Sequence, residues 1–276
     1  MHNILPYSEN AFSLYKDAVE RKKDGDVKNR LVAAESTLRA YYEEFDRHFP
    51  NNTLRTIVPR RVKKPLSEDF LGMYSFEAAV VKKVKSWLKK NNRVTVYGVC
   101  QHCGIAPFDT MDHILPYQQY AEYSVHARNL IPCCTDCNRR KNEREILNLY
   151  VDILPDVEYL FMDVSENGDT IDLTFRLDNS KGLVPNDLFN KIRNHYSTLD
   201  LFLRLKTIAS TRISGFLSQI KRTYSQNGKQ EVIDEINESV EELRRAYGYN
   251  YWEAAFRKGL VNSAVFWAYY ENGMLV

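Results

Sequence analysis

Several features that define large classes of protein are missing from the 276-residue sequence. It has no apolar run near the roughly 20 residues that a membrane-spanning helix needs, so we expect no membrane partner. The opening residues lack the basic segment and apolar run of a secretion signal, which predicts a cytoplasmic location. Internal repeats, low-complexity segments and glycine-rich phosphate loops are also lacking. Any control by a nucleotide would therefore have to come from another chain.

Charge is distributed unevenly along the chain, although the net charge is only +2. Residues 1–92 carry a net charge of +6, residues 93–150 carry none, and residues 151–276 carry −4. The stretch 78–108 contains no acidic residue and six lysines and arginines. Such asymmetry favours a polyanionic partner for the first half of the chain. A solvated helix face explains the same charges without any partner.

Apolar periodicity predicts helices interrupted by short strands. The helices are predicted at 8–23, 27–48, 75–90, 197–223 and 229–246, with short aromatic-rich helices at the end. The strands are predicted at 94–97, 158–163 and 170–177, the last two around Asn167-Gly168. Ser75 is the expected N-cap of the third helix. The fold class expected from this pattern is α+β and predominantly helical.

The changes in pattern also predict three regions. Residues 1–92 form a helical N-terminal region with a basic stretch, and residues 93–150 form a cysteine-rich module. Residues 151–276 form a β-hairpin followed by helices.

Four of the five cysteines form two CxxC pairs, Cys100 with Cys103 and Cys134 with Cys137. Two residues between cysteines let both thiolates bind one ion, and two such knuckles complete the tetrahedron of a structural zinc site. A set of buried thiols is the alternative, but it does not explain why both pairs share one spacing. Cys133 has the wrong spacing for a knuckle and is expected to pack in the core.

The segment between the two pairs contains Asp112-His113, with Pro116 three residues further on. Asn129 lies later in the same segment, and Asn138 directly follows the last cysteine. Each residue alone has an ordinary explanation as a surface pair, a turn residue or a helix cap. Their joint occurrence between and beside two zinc knuckles favours a chemical role.

Three basic residues, Arg139, Arg140 and Lys141, follow this segment and are predicted to begin a helix that continues to residue 149. His102, between the first two cysteines, is expected to be exposed and not to bind a metal.

The order CxxC, Asp-His-x-x-Pro, Asn-Leu, CxxC-Asn and a lysine three residues later resembles the HNH endonuclease superfamily. The resemblance covers residues 100–142 and says little about the rest of the chain. It implies a ββα-metal module, in which a β-hairpin and a helix hold a catalytic metal ion beside the four-cysteine zinc site.

The resemblance also implies roles for individual residues. His113 matches the general base that takes a proton from the attacking water, and Asn129 matches the residue that fixes the loop and orients this base. Asp112 and Asn138 match the ligands of a catalytic divalent ion. Asparagine at the last position favours Mg²⁺ or Mn²⁺ over Ni²⁺ or Zn²⁺, because its carbonyl oxygen is a harder ligand than imidazole. The residues expected to contact phosphates are Arg139, Arg140, Lys141, Lys82, Lys85 and Lys89.

The sequence therefore predicts a metal-dependent HNH endonuclease that hydrolyses nucleic acid, with DNA favoured over RNA. The alternative is a non-catalytic, zinc-stabilised module that binds nucleic acid or protein. The large helical flanks suggest a protein partner, such as an ATPase subunit in a bacterial anti-phage defence complex. That expectation rests on analogy of domain arrangement alone.

Overall fold

The computed structural model describes residues 1–93 and 98–275, so the strand predicted at 94–97 lies outside the described residues. The described residues form an α+β fold that is predominantly helical, with two two-stranded antiparallel sheets, which confirms the predicted class. Among them, no helix is both long and apolar enough to cross a bilayer.

The chain divides into two compact units. Unit one contains Met1–His2, Cys103–Ile105 and Pro155–Val276, and unit two contains Asn3–His102 and Ala106–Leu154. The three regions predicted from the sequence stay a prediction.

Unit two begins with five helices that surround an aromatic core. They are α1 (Ala11–Glu20), α2 (Asp26–Ala33), α3 (Glu35–His48), α4 (Leu66–Leu71) and α5 (Ala79–Asn91). The Asn10 side chain caps α1 by accepting hydrogen bonds from two backbone amides. The single helix predicted at 27–48 is divided into α2 and α3 at Ala34, which itself keeps helical dihedral angles.

The start of α5 differs from the prediction. The helix begins at Ala79, with Ala78 in the N-cap position, and Ser75 lies in a preceding turn where its carbonyl accepts from the Ala78 amide. The expectation that Ser75 caps this helix is therefore wrong. A serine that can bond locally stabilises a turn as readily as a helix start, so its presence alone does not fix the boundary.

A ββα arrangement lies at the centre of the chain. Strand β1 (Thr110–His113) pairs antiparallel with β2 (Leu130–Cys133), and helix α6 (Thr135–Lys141) follows. The register places Asp112 opposite Ile131 and His113 opposite Leu130. Because β2 is buried along its whole length, this hairpin is anchored in the core of unit two.

Helix α6 has well-defined ends. The Asp109 carboxylate accepts hydrogen bonds from the Thr135 amide (2.6 Å) and hydroxyl (3.0 Å) at its first residue. Asn142 follows the helix with a φ of 50° and a ψ of −119°, a backbone conformation that cannot continue the helix. The prediction of a helix from 139 to 149 is therefore wrong, and the basic run lies in the last turn of α6 instead of a first turn.

Unit one contains a β-hairpin and five further helices, as the sequence predicts for the C-terminal half. Strands β3 (Leu160–Asn167) and β4 (Thr170–Leu177) meet at a turn in which Gly168 has a φ of 61°. The helices are α7 (Asn186–Thr198), α8 (Leu201–Asn227), α9 (Lys229–Tyr247), α10 (Trp252–Val261) and α11 (Ala264–Glu271). Helix α7 was missed by the sequence pattern, and Asp200, with a φ of 51°, separates it from α8.

Candidate functional site

The four knuckle cysteines lie together. The Sγ atoms of Cys100, Cys103, Cys134 and Cys137 are within 4.8 Å of one another, and all four residues are buried. A tetrahedral zinc ion with bonds of about 2.3 Å places its sulfurs roughly 3.8 Å apart, so this donor set fits zinc. The cluster supports a structural zinc site, as the spacing predicts.

Cys133 is next to this cluster in sequence but is not part of it. Its side chain is fully buried in β2, where burial raises the pKa of the thiol well above its usual value. The nearby negative charge of Asp112 adds to this shift. Cys133 is therefore a neutral core residue, in agreement with the packing role expected for it.

Asp112 is a buried carboxylate held by two other side chains. Its Oδ1 accepts from Lys141 Nζ at 2.8 Å, and its Oδ2 lies 3.0 Å from His102 Nε2. Burial opposes ionisation of Asp112, but Lys141 and His102 together outweigh it and lower the pKa to about 2. The carboxylate is therefore ionised near neutral pH.

His102 was expected to be exposed, and this expectation is wrong. Only 1% of the residue is accessible, because the first zinc knuckle turns it inward against Asp112. The CxxC spacing gives no information about the direction of the residues between the cysteines. No sequence signal short of the fold itself could have identified this contact.

Lys141 lies in a position that does not fit the phosphate contact predicted for it. Its side chain is 3% exposed, and Nζ donates to both Asp112 and the His113 carbonyl oxygen, the latter at 2.6 Å. A buried ammonium with two such acceptors holds the Asp112 carboxylate and the His113 backbone in fixed positions. We therefore regard Lys141 as a positioning residue for Asp112.

The His113 imidazole has a defined tautomer. Its Nε2 lies 2.9 Å from the Ser124 carbonyl oxygen, which can only accept, so Nε2 carries the proton and Nδ1 keeps its lone pair. Burial lowers the pKa of His113 to about 4, while the Ser124 hydrogen bond opposes this shift. The ring also contacts Tyr74 and Tyr117, with centroids at 4.6 and 4.9 Å. A neutral imidazole is thus held rigidly at the end of β1.

Asn129 connects the segments on either side of the site. Its Oδ1 accepts from the Leu115 amide at 2.7 Å, and its Nδ2 donates to the carbonyls of Leu115 and Tyr123, both at 3.2 Å. These bonds join the chain after β1 to the turns before β2. The side chain is fully buried, and its bonds fix the segment that directly follows His113.

Asp112, His113 and Asn138 line one pocket. Asn138 is half-buried on α6, and its backbone amide donates to the Cys134 carbonyl at 3.0 Å. Asp112 and Asn138 both carry hard oxygen atoms of the kind that Mg²⁺ or Mn²⁺ prefers, so these two lining residues could hold a divalent ion. The remaining lining residues are Pro116, Tyr117, Gln118, Thr135, Arg139 and Asn142.

Arg139 is the basic residue of α6 that reaches this pocket. Its side chain is 73% exposed and pairs with Asp136 at 2.9 Å, an exposed ion pair that a phosphate can replace at small cost. Arg140 also pairs with Asp136, at 3.1 Å.

The three α5 lysines that are predicted to contact phosphates do not belong to the pocket lining in the described part of the chain. The ammonium of Lys85 lies 3.5 Å from the centre of the Phe76 ring and donates to the Phe76 carbonyl. Lys82 pairs with Glu77 at 2.9 Å, and Lys89 is exposed. Phosphate contacts by Lys82, Lys85 and Lys89 therefore stay a prediction.

Residues 100–144 match the family described as HNH endonuclease. These residues form an HNH domain. The match begins at Cys100 and ends three residues after Lys141, so it contains both CxxC pairs and the residues between them. No curated protein and no solved structure gives a significant match to the chain. The comparison therefore assigns the HNH domain to its family and leaves the segments around it unassigned.

Proposed function

We propose that the HNH domain is a metal-dependent endonuclease that hydrolyses phosphodiester bonds, with DNA as the favoured substrate. The observation that supports this most strongly is the convergence of Asp112, His113 and Asn138 on one pocket. The exposed guanidinium of Arg139 in the same lining suits a phosphate group.

Asp112 and Asn138 would hold Mg²⁺ or Mn²⁺, which when bound neutralises charge that develops on the scissile phosphate. Lys141 and His102 hold the Asp112 carboxylate ionised and in one orientation. A carboxylate with a low pKa and a fixed direction loses little entropy when it binds a cation.

His113 acts as the general base. Its Nδ1 lone pair accepts a proton from the attacking water, and the Ser124 carbonyl keeps the proton on Nε2. Because the carbonyl holds the opposite nitrogen, it also stabilises the imidazolium that forms. Asn129 and the two tyrosines keep the ring in place.

A non-catalytic, zinc-stabilised binding module is the second candidate. Such a module needs the four cysteines but has no use for a buried ionised carboxylate beside an oriented neutral histidine. Burial of such groups costs free energy that a scaffold could avoid with apolar residues. This arrangement favours the nuclease.

The first test is metal-dependent cleavage of DNA and RNA by the purified protein, with EDTA as the control. Asn138→Ala is expected to lower cleavage at limiting Mn²⁺ by about 10- to 100-fold, because one metal ligand is lost. Asn142→Gly is the matched control, since Asn142 lines the same pocket and a glycine accepts its left-handed backbone. No metal-dependent turnover by the wild-type protein would favour the binding module, and equal activity of Asn138→Ala would reject Asn138 as a ligand.

A second prediction concerns the contact between the zinc knuckle and Asp112. His102→Phe keeps a flat buried ring but removes the hydrogen bond, and we expect Mn²⁺ affinity to fall about 10- to 100-fold. Electron paramagnetic resonance of Mn²⁺ measures this affinity, and zinc content should stay at the wild-type level. His102→Gln, whose amide can still donate, should recover part of the loss. Unchanged Mn²⁺ binding in His102→Phe would show that the contact is only structural.

We further propose that the helical segments outside the HNH domain dock a protein partner in the cytoplasm, such as an ATPase subunit of an anti-phage defence complex. The matched residues 100–144 are a small part of the chain, and residues 151–276 carry a net charge of −4 that does not suit nucleic acid. A purified protein that is monomeric and fully active alone would contradict this proposal.

A further inference from the structure

One aromatic side chain is exposed in the otherwise largely polar pocket. Tyr117 is 37% accessible, and it lies in the lining between Pro116 and Gln118. In the proposed proton transfer Tyr117 serves only to pack against the His113 ring, and the proposed metal binding does not use it. An exposed aromatic face inside a polar site is costly in water and suits a flat ligand.

The Tyr117 ring is held in place before any ligand arrives. The amides of Gln119 and Tyr120 both donate to the Pro116 carbonyl at 3.0 Å, which closes a tight turn around residue 117. On one side the ring stacks against Tyr74, with centroids 6.4 Å apart and an interplanar angle of 27°. Tyr74 is itself fixed, because its hydroxyl donates to the Met111 carbonyl at 2.9 Å. The Tyr117 ring is therefore held by its aromatic neighbours, while 37% of the residue stays accessible to a further ring.

This stack is next to the proposed general base. The centroids of Tyr117 and His113 are 4.9 Å apart, so a ring stacked on Tyr117 lies within one nucleotide of a phosphate beside His113. Nucleobases stack on aromatic side chains in many proteins that bind single strands, and such contacts tolerate any base.

We propose that Tyr117 is a nucleobase subsite, which stacks an unpaired base adjacent to the scissile phosphate. A base within a duplex has both faces covered by its neighbours, so this subsite selects single-stranded or locally unpaired nucleic acid. The inference rests on the proposed nuclease function and adds to it the strandedness of the substrate.

The rival explanation is that Tyr117 only packs against the His113 ring. Tyr117→Leu separates the two explanations, because leucine still fills apolar space beside His113 but offers no π face. A packing role predicts slower chemistry with unchanged affinity, whereas a base subsite predicts weaker binding that depends on the presence of bases.

The test measures binding in a His113→Ala background, so that no cleavage is required. Fluorescence anisotropy with a labelled single-stranded oligonucleotide in Mg²⁺ is the readout, and thermal unfolding confirms folding. Tyr117→Leu is expected to weaken binding roughly 5- to 150-fold, the range found when base-stacking aromatics are removed. Tyr117→Phe, which keeps the ring, should restore most of that affinity.

Two further ligands decide the outcome. The first is a base-free deoxyribose-phosphate oligomer with the same number of phosphates, and the second is a blunt duplex of the same length. The loss caused by Tyr117→Leu should be absent with both. An equal loss with either ligand, or no loss with the single strand, would overturn the proposal. A protein that shows the base-dependent loss yet never cuts would reject the nuclease function alone.

Discussion

Replacement of His113 with alanine is expected to lower the cleavage rate by a factor of about 10² to 10⁴, the usual contribution of a general base. The structure holds this imidazole neutral, with its proton on Nε2 against Ser124 and its lone pair on Nδ1. Alanine removes that lone pair, and water must then be deprotonated by solvent. Single-turnover cleavage with saturating Mn²⁺ measures the chemical step directly.

The matched control for this variant is His48→Gln. His48 belongs to the same unit, and its Nδ1 contacts the Thr53 hydroxyl at 2.8 Å, outside the pocket lining. This variant should cut at the wild-type rate. Mn²⁺ affinity should also change little in His113→Ala, because the proposed ligands are Asp112 and Asn138. Cutting by His113→Ala at the wild-type rate would exclude the general-base role.

The parts of the site that the sequence predicts well are those fixed by local spacing. Each CxxC pair forms a knuckle from consecutive residues, so the cysteine positions follow from chemistry alone. Asp112 and His113 are adjacent in β1, and Asn138 follows Cys137 directly. Their convergence needs only the strand pairing of β1 with β2 and one turn of α6.

The contacts that the sequence does not predict are long-range. His102 and Asp112 are ten residues apart, and Lys141 is 29 residues from Asp112, so only the folded chain brings them together. A lysine in a basic run is more often exposed than buried, and this general tendency led to the wrong role for Lys141. The burial of its ammonium depends on a carboxylate that no local pattern indicates.

Helix boundaries are also poorly predicted from local sequence. The pattern of α5 predicts the buried side chains Val80, Val84 and Leu88, but not the residue at which the helix begins. Intrinsic propensities differ by only about 0–1 kcal/mol per residue, so tertiary packing decides the ends. Helix α7 is absent from the prediction although its buried residues Ile192, His195 and Tyr196 lie at helical spacing.

Replacement of Cys134 with alanine is expected to remove the zinc ion and to unfold the HNH domain. Structural zinc sites contribute on the order of 10 kcal/mol in small peptides, which exceeds the stability of most domains. Zinc per chain, measured by mass spectrometry, should fall from about one to near zero. Hydrogen exchange should rise across residues 100–144, the matched segment.

Cys133→Ala is a closely matched control, because it makes the same substitution at the preceding residue, which is also buried. Cys133 lies outside the four-cysteine cluster, so Cys133→Ala should lower the free energy of unfolding by only about 1 kcal/mol and leave zinc bound. Full zinc occupancy in Cys134→Ala would refute the site.

The zinc ion should also hold the pocket residues in position. Asn138 lies one helical turn after Cys134, and His102 lies between Cys100 and Cys103. Loss of zinc is therefore expected to displace Asn138, one proposed metal ligand, and also His102, which holds the other proposed ligand, Asp112.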